Sequence, residues 1–268
     1  MGIVNVTPDS FSDGGQFLDP AEAIEHGLRL AEEGADILDV GGESTRPGAD
    51  PVSEGGEAER VLPVVDALAA KSSVPVSIDT TKASVARAAL DAGAQIVNDV
   101  SAGRFEPHIF GVAAARRAPI VLMHMLGEPR NMQKDPRYAD VVGEIAAFLS
   151  ERAEAAVADG VPRDRIVVDP GFGFGKTVEH NLVLLRRLRE FRCLGFPVLA
   201  GTSRKSFVGA TLGGLDTGER LEGTAATVAL AVLNGAAFVR VHDVREMARV
   251  VRMVEAVQAA VEPGGGQG

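Results

Sequence analysis

The sequence predicts an α/β fold, a single-domain (β/α)8 TIM barrel, from three observations. Eight short apolar runs rich in Val, Ile and Leu alternate with segments of helical periodicity. The runs are unbroken apolar stretches, which is typical of parallel strands covered on both faces. Eight such units in 268 residues match the count and size of this barrel. A chain of this length can bury a core as one domain without a disulfide or a structural metal.

The predicted elements follow one another along the whole chain. The strand segments are residues 2–6, 36–40, 74–78, 95–97, 119–123, 165–168, 197–200 and 236–241. The helical segments are residues 21–33, 54–70, 84–91, 107–116, 139–159, 179–191, 219–233 and 244–261. We expect one catalytic domain over residues 1–262 and a disordered tail over residues 263–268.

Most of the strand segments end in a polar or charged side chain with glycine close by. These residues are Asn5, Glu43, Asp79, Asn98, Asp99, His124, Asp169, Thr202, Ser203, His242 and Asp243. Active sites of (β/α)8 barrels form where the strands end and the βα-loops begin, so these side chains predict one shared site. The alternative for each position is a side chain that merely starts a turn or caps a helix.

Composition excludes several classes of partner. The formal net charge of -10 at pH 7 disfavours nucleic acid and anionic membranes, which need a continuous cationic surface. No secretory signal or membrane-spanning segment is recognisable, and the single cysteine, Cys193, cannot form an internal disulfide. The sequence therefore predicts a cytoplasmic protein.

Three loops, residues 7–19, 42–53 and 126–137, exceed the usual length of about 2 to 6 residues for βα connections. Long loops at the rim of a barrel favour lids over the site. The first two carry Phe11, Asp13, Thr45 and Arg46, side chains that can bind or polarise a ligand. The alternative is that all three are ordinary surface loops.

Residues 169–177 contain a glycine-rich segment that resembles a phosphate-binding loop but does not match one. The Walker pattern needs glycine where this chain has Pro170, and the dinucleotide pattern fails because its third glycine comes one residue early. We expect the glycines to let the backbone, with Phe172 and Phe174, close over a flat ligand. For either phenylalanine the alternative is a place in the core.

Asp79, Asn98 and Asp169 end three strands with side chains that are mainly hydrogen-bond acceptors. A carboxylate that accepts two parallel N–H bonds from a ring N–H and a neighbouring amino group is geometrically specific. The three side chains therefore favour a heterocycle with an amidine-like edge, and Lys205 can bond a ring carbonyl or ring nitrogen. The alternative is that each is a capped or salt-bridged group.

Arg240 and His242 lie two residues apart at the end of the last strand and therefore point to the same face. With Arg46 and Asn5 they form a group of donors suited to phosphate or diphosphate. A diphosphate would bring Mg2+, which tolerates few protein ligands, so one oxygen from Asn5 suffices. The alternative for Arg240 is an ion pair with Asp243 or Asp39. Residues 203–206 begin a helical segment, which predicts a second anion site.

Five motifs in order, at residues 2–15, 41–48, 169–176, 203–205 and 240–243, are similar to those of the dihydropteroate synthases. The resemblance covers nearly the whole chain. It implies an enzyme that joins 6-hydroxymethyl-7,8-dihydropterin diphosphate to p-aminobenzoate, giving dihydropteroate for folate synthesis and releasing diphosphate. Sulfonamides mimic the second substrate of that family.

The resemblance also implies roles for single residues. The pterin would be held by Asp79, Asn98, Asp169 and Lys205, with Met123 packed under the ring. The diphosphate would be bound by Asn5 with Mg2+, and by Arg46, Arg240 and His242. The aminobenzoate would lie beside Thr45, Pro47, Phe174, Lys205 and Ser206. Phe11 and Asp13 would arrive when the first loop closes, and Asp13 would stabilise the cation left by a dissociative departure of diphosphate. Asp13, Lys205, Arg240 and Arg46 would thus be the catalytic residues.

Members of that family are commonly homodimers, and they usually carry an N-terminal segment that covers the bottom of the barrel. We expect the rim to be independent of that segment. Two alternatives use the same pterin wall: a barrel that passes a methyl group to a corrinoid protein, and a noncatalytic pterin-binding paralogue. Residues 203–205 and the first loop argue against the methyltransferase, and Asp13, Arg46 and Lys205 argue against the paralogue.

Overall fold

A computed structural model of the chain describes residues 1–7, 20–45 and 48–260. Within these ranges strands and helices alternate as predicted. The strands are β1 (Gly2–Asn5), β2 (Leu38–Gly41), β3 (Val76–Asp79), β4 (Ile96–Asp99), β5 (Ile120–Met123), β6 (Ile166–Asp169), β7 (Leu199–Ala200) and β8 (Phe238–Val239). The helices are α1 (Pro20–Glu32), α2 (Glu54–Lys71), α3 (Ala83–Asp91), α4 (His108–Arg116), α5 (Val141–Ala158), α6 (Val178–Arg186), α7 (Ser206–Thr211), α8 (Leu221–Leu233) and α9 (Val244–Ala259).

The strands are parallel and close into a barrel. β1 to β6 form one continuous sheet in sequence order, and β7 pairs with β8. Two single bridges, Val168 with Val198 and Gly2 with Val241, join these sheets at both edges. The bridges are backed by backbone hydrogen bonds from Val168 N to Pro197 O and from Ile3 N to Val241 O, each 3.0 Å long. The predicted (β/α)8 fold is therefore confirmed.

The helices cover the outside of the barrel and bury an apolar stripe against the strands. All residues of β2 and β5 are buried, so these strands are covered on both faces. Gly34, Gly93 and Gly160 adopt positive φ angles of 100°, 108° and 94° after α1, α3 and α5. Each stops its helix in the left-handed conformation that glycine favours. Because all the strand pairings are parallel, the βα-loops start from one end of the barrel.

The predicted helix over residues 179–191 divides into two elements. α6 ends at Arg186, and Leu188–Leu194 continue as a 3-10 helix. Leu188 and Phe191 are both fully buried, and a spacing of three residues puts them on one face when there are three residues per turn. The tighter helix therefore buries both side chains at once.

No helix in the described part of the chain is long and apolar enough to cross a membrane. The thiol of Cys193 is exposed. The expected tail, residues 263–268, lies outside the described residues.

Candidate active site

Side chains from neighbouring strands meet at the carboxyl end of the barrel. Asp79 pairs in register with Asn98, and Met123 pairs with Asp169, so each pair stands at one height on adjacent strands. Asp169 and Asn98 are 6% and 4% exposed. The structure thus brings together the acceptor side chains that the sequence predicts for one site.

A buried carboxylate, Asp39, connects two parts of this site. Its Oδ2 atom accepts hydrogen bonds from Asn98 Nδ2 at 2.9 Å and from Arg240 Nε at 2.6 Å. Arg240 also donates from Nη2 to Asp79 Oδ2 at 2.8 Å. Asp39 is fully buried in the layer of side chains beneath the rim. One carboxylate therefore sets the orientation of both the Asn98 amide and the Arg240 guanidinium.

Arg240 is consequently an ion-paired residue in this structure. Of the two partners that the sequence offered, Asp39 is correct and Asp243 is wrong, because Asp243 pairs with Arg204 at 2.5 Å and 3.0 Å. A guanidinium has five N–H donors, and the two ion pairs of Arg240 use two of them. The remaining donors leave Arg240 able to bind an anion at the rim.

Burial shifts the pKa values of Asp79 and Asp169 toward neutral pH, against the effect of the nearby cations. Burial raises the pKa of Asp169 to about 6, opposed by the N–H of Gly171 and by the charges of Lys205, Lys176 and Arg240. Burial also raises the pKa of Asp79; the Arg240 charge opposes this shift and the Asp39 charge adds to it. Burial lowers the pKa of Lys205 to about 8, and Arg240 adds to this effect. The cations and carboxylates therefore act on one another within a single site.

His242 contributes a neutral imidazole to this group and not a positive charge. Burial lowers its pKa to about 3, and Arg240 and Arg204 add to this effect. Ser203 Oγ accepts the backbone N–H of His242 at 3.1 Å and lies 3.0 Å from Nδ1. The Ser203 hydroxyl can donate to Nδ1 in one tautomer of the neutral ring and accept from it in the other, so it holds the ring in place in both.

Asn5 ends β1 at the same rim, half-buried and opposite Gly41. Its side chain makes no hydrogen bond among the residues that the structure describes. An amide oxygen is a ligand of the kind that Mg2+ accepts, and this ion keeps several water molecules when it also binds a diphosphate. Within residues 1–7, 20–45 and 48–260 no three His, Cys, Asp or Glu side chains form a metal cluster. The donor set therefore fits Mg2+ that is held mainly by its substrate.

An apolar floor lies beside these polar groups. Met123 and Phe174 form a small buried cluster with Val100, Met125 and Met132, separate from the main core. Lys205 Nζ stands 4.0 Å from the centre of the Phe174 ring. The floor offers a flat apolar surface for a ring whose edge meets the carboxylates.

The sequence identified only part of this floor. Val100, Met125 and Met132 were missed because apolar residues in loops carry no periodicity. The expectation for Phe172 is wrong: it is 1% exposed and packs in the core against Phe207, with ring centroids 6.3 Å apart. Gly173, between the two phenylalanines, has a positive φ of 81° that breaks the extended alternation, so the two rings point in different directions.

The second loop is anchored at both ends. Lys82 Nζ donates to Glu43 and to the fully buried Glu57 of α2, and Val52 N donates to Glu43 Oε1 at 3.2 Å. Gly48 N donates to Pro129 O in the third loop at 3.3 Å. A cavity of about 270 Å³ opens between the two loops, with Thr45 and Asp79 in its lining. Thr45 is therefore half-buried beside the acceptor group.

The remaining predicted residues divide into two groups. Ser206 is exposed and begins α7, a helix of only six residues, after Lys205. Four predicted site residues, Phe11, Asp13, Arg46 and Pro47, lie outside the described residues.

Comparison with known proteins agrees with this arrangement. Residues 1–242 match the family model of pterin binding enzymes. The chain is 50% identical over 257 residues to a dihydropteroate synthase of Synechocystis sp., covering 96% of this chain and 89% of that protein.

Comparison with solved structures also finds dihydropteroate synthases. The dihydropteroate synthase of Xanthomonas albilineans with 4-aminobenzoic acid has a TM-score of 0.91 and 48% identity, covering 97% of this chain and 93% of that one. The enzyme of Yersinia pestis with a sulfonamide drug has a TM-score of 0.92 and 44% identity, covering 97% and 94%.

The chain therefore belongs to the family of pterin-binding enzymes. The relatives at this level of identity are synthases, which disfavours the corrinoid methyltransferase alternative. Within the family the chain belongs to the dihydropteroate synthases, which are transferases of folate biosynthesis.

Proposed function

We propose that the rim joins 6-hydroxymethyl-7,8-dihydropterin diphosphate to p-aminobenzoate. The observation that carries this proposal is the meeting of Asp79, Asn98, Asp169 and Lys205 around an apolar floor, with Arg240 beside them. A flat ring with donors on one edge and an anionic tail fits such a site in both shape and charge.

The pterin edge is recognised by acceptor groups. Asp169 Oδ1 already accepts the N–H of Gly171 at 2.7 Å, which fixes the carboxylate in the plane of the loop. A carboxylate has about four lone-pair positions, so the others accept the ring N–H and the amino group. Asp79 and Asn98 bond the other ring, Lys205 donates to ring oxygen or nitrogen, and Met123 packs under the ring.

The diphosphate is bound by donors on the opposite side of the ring. Arg240 and His242 donate to its oxygens, with Arg46 from the second loop, and Asn5 would hold Mg2+. When bound, Mg2+ supplies charge neutralisation for the leaving diphosphate. Arg240 keeps its position during the reaction because Asp39 and Asp79 hold it.

The reaction is a dissociative displacement. The bond between the methylene carbon and the diphosphate oxygen breaks first, and the electron pair leaves with diphosphate. The resulting cation is conjugated with the pterin ring, and Asp13 stabilises it. The nitrogen of the aryl amine then forms a bond to the methylene and releases its proton to water, so no general base is required.

The aminobenzoate lies beside Thr45, Pro47, Phe174, Lys205 and Ser206, with its carboxylate toward the start of α7. Sulfonamides would occupy the same place, as the Yersinia pestis relative with its sulfonamide drug suggests. We also expect a cytoplasmic homodimer with Mg2+ as its cofactor.

Release of diphosphate tests this function. The protein with Mg2+ should release diphosphate and form dihydropteroate only when both substrates are present. A protein that binds 6-hydroxymethylpterin without any release is a noncatalytic paralogue. Transfer of a methyl group from methyltetrahydrofolate to a corrinoid protein would instead establish the methyltransferase.

A further inference from the structure

Lys176, the last residue of the glycine-rich segment, is a buried lysine with no carboxylate partner among the described residues. It is 3% exposed. Its Nζ atom donates to Gly171 O at 2.8 Å and to Phe174 O at 2.9 Å, and it lies 3.0 Å from His124 Nδ1. An ammonium has three protons, and these three acceptors use all of them.

The three acceptors belong to the loop itself and to the end of the neighbouring strand. Gly171, Gly173 and Gly175 have φ angles of 71°, 81° and 65°, so the loop folds back on itself at each glycine. A Cβ atom on Gly171 would stand 1.9 Å from His124 O, which shows how closely the loop lies against the end of β5. The Nζ atom of Lys176 joins the two sides of this contact, because it bonds both Gly171 O and His124 Nδ1.

Other side chains hold the backbone groups that Lys176 does not reach. Gln133 Nε2 donates to Gly173 O at 2.6 Å, and Tyr138 Oη donates to Gly175 O at 2.9 Å. Asn181 Oδ1 accepts the N–H of Gly173 at 2.7 Å. The loop is therefore held from outside by side chains, and Lys176 is the charged member of this set.

We propose that Lys176 is a positioning residue, whose ammonium fixes the loop so that Phe174 forms the floor and Asp169 presents a charged carboxylate to the ligand. The lysine of a phosphate-binding loop reaches outward to its ligand, whereas this one donates inward to its own loop. The inference rests on the proposed function, because Phe174 and Asp169 are proposed to bind the pterin.

The charge of Lys176 matters as well as its geometry. Burial lowers the pKa of this lysine well below its usual value, whereas the Asp169 charge and the three acceptors around Nζ favour the ammonium. The charged groups around Asp169 are Lys176 on its own loop, Lys205 after β7 and Arg240 directly after β8, and each favours the ionised carboxyl. Burial and the Lys176 charge lower the pKa of His124, directly after β5, so that ring is neutral and accepts from the ammonium through Nδ1. Loss of the ammonium should raise the pKa of Asp169, and the protonated carboxyl cannot accept two N–H bonds.

Two substitutions separate geometry from charge. Lys176→Met removes the donors and the charge, whereas Lys176→Arg keeps a charge whose planar donors cannot converge on three acceptors. Asn234→Ala is the control for stability, because it removes a 3.0 Å bond to Leu185 O before β8, at the opposite end of the barrel.

The first measurement is hydrogen exchange of the backbone amides of residues 170–176 in the ligand-free protein. Exchange should accelerate at least tenfold in both Lys176 variants and stay unchanged in Asn234→Ala. The second is calorimetry with 6-hydroxymethylpterin between pH 5 and 8. Affinity at pH 7 should fall at least tenfold in both Lys176 variants, and only Lys176→Met should move the pH of half-maximal binding upward.

Unchanged exchange and unchanged affinity in a folded Lys176→Met protein would overturn the inference. If that protein does not fold, Lys176→Arg decides by the same two measurements. Failure of the wild-type protein to bind 6-hydroxymethylpterin would instead count against the proposed function, while hydrogen exchange still tests what Lys176 does to the loop.

Discussion

Asp39 is the residue that joins the pterin side and the diphosphate side of the candidate site. One of its oxygens bonds both Asn98 and Arg240, whereas Oδ1 is buried without a hydrogen-bond partner. Such a carboxylate is destabilising unless its cation is present, because a buried unpaired charge loses its hydration. The Arg240 side chain therefore has a structural role as well as a proposed catalytic one.

Arg240→Ala should weaken both stability and diphosphate binding. We expect kcat/KM for the pterin diphosphate to fall by about 100-fold, since charge-assisted bonds to the leaving group are lost. The KM for p-aminobenzoate should change little. The unfolding free energy should fall by ~3 kcal/mol, because Asp39 loses its buried cation. Steady-state kinetics and denaturant unfolding measure the two effects.

A second substitution distinguishes the two roles of Arg240. Asp39→Asn in the Arg240→Ala background removes the unpaired charge, so most of the lost stability should return while the low kcat/KM persists. Recovery of both stability and turnover in the double variant would mean that Arg240 is structural only.

Asp169→Asn should change the pH dependence of stability. Burial raises the pKa of this carboxyl from 3.8 to about 6, so the folded protein binds a proton more tightly than the unfolded chain does. That stabilisation is complete below pH ~4 and is lost as the pH rises through about 6. Asn does not titrate and still accepts the N–H of Gly171. The stability of the variant relative to the wild type should therefore increase between pH 4 and 7, by on the order of 3 kcal/mol.

Urea unfolding at several pH values measures this difference, with Asp164→Asn, an exposed carboxylate before β6, as the control. The same Asp169→Asn variant should bind 6-hydroxymethylpterin about 100-fold more weakly at pH 7, because a charge-assisted pair of hydrogen bonds is lost. Equal pH profiles for wild type and variant would show that Asp169 does not titrate as described.

At the scale of single residues, the sequence predicted the polar side chains at the strand ends and missed most of the hydrogen bonds that orient them. Asp79, Asn98 and Asp169 could be recognised because a polar residue after an apolar run marks the rim. Asp39 was predicted only as one of two ion-pair partners for Arg240 and not as the partner of Asn98, and Ser203 gives no sign in the sequence that it contacts His242. Hydrogen-bond partners far apart in sequence depend on the closed barrel, so no local pattern encodes them.

The glycine-rich segment after β6 shows how an element can be recognised before its role is known. Its mismatch with phosphate-binding patterns predicts a different ligand, which stays a prediction, and Phe174 lies beside Met123 and Lys205. The orientation of Phe172 and Lys176 could not be predicted, since it depends on contacts with Phe207 and His124. Segment boundaries were within a few residues for most helices. The α6 segment was the exception, where side-chain burial favours a 3-10 continuation.

Gly171→Ala tests the close contact between this segment and β5. The new Cβ would meet His124 O in a conformation with φ of 71°, so backbone must move. We expect a loss of several kcal/mol of stability and loss of 6-hydroxymethylpterin binding. Thermal unfolding and calorimetry measure both.

Gly195→Ala is the matched control, because Gly195 has a similar φ of 76° but no atom near its Cβ position. It should cost only about 1 kcal/mol, the strain of the left-handed conformation alone. Similar losses for the two substitutions would mean that the contact with His124 has no energetic importance.

The whole molecule places two chemically different half-sites on one rim although the chain is strongly acidic. These are the pterin half-site around Asp169 and the diphosphate half-site around Arg240. With a net charge of -10, cations must be concentrated locally to bind a diphosphate. Barrel closure achieves this, since the bridges between β6 and β7 and between β8 and β1 bring Lys205 and Arg240 beside Asp169 and Asp79. The overall fold could be predicted from the alternation of elements, but this proximity requires the closed barrel.

Removal of Mg2+ should separate the two half-sites. With EDTA present, affinity for the pterin diphosphate should fall at least tenfold, because the diphosphate loses the charge neutralisation that Mg2+ supplies. Affinity for 6-hydroxymethylpterin should not change. Asn5→Ala should reproduce the first effect with Mg2+ present. Calorimetry checks both ligands, and an equal loss for the two would contradict separate half-sites.

The most direct test of the account is a crystal structure of the protein with the pterin diphosphate, Mg2+ and p-aminobenzoate. We expect the pterin ring on Met123 and Phe174 with its amidine edge on Asp169, and the diphosphate within hydrogen-bonding distance of Arg240. A pterin bound away from Asp169, or a diphosphate that does not reach Arg240, would contradict it.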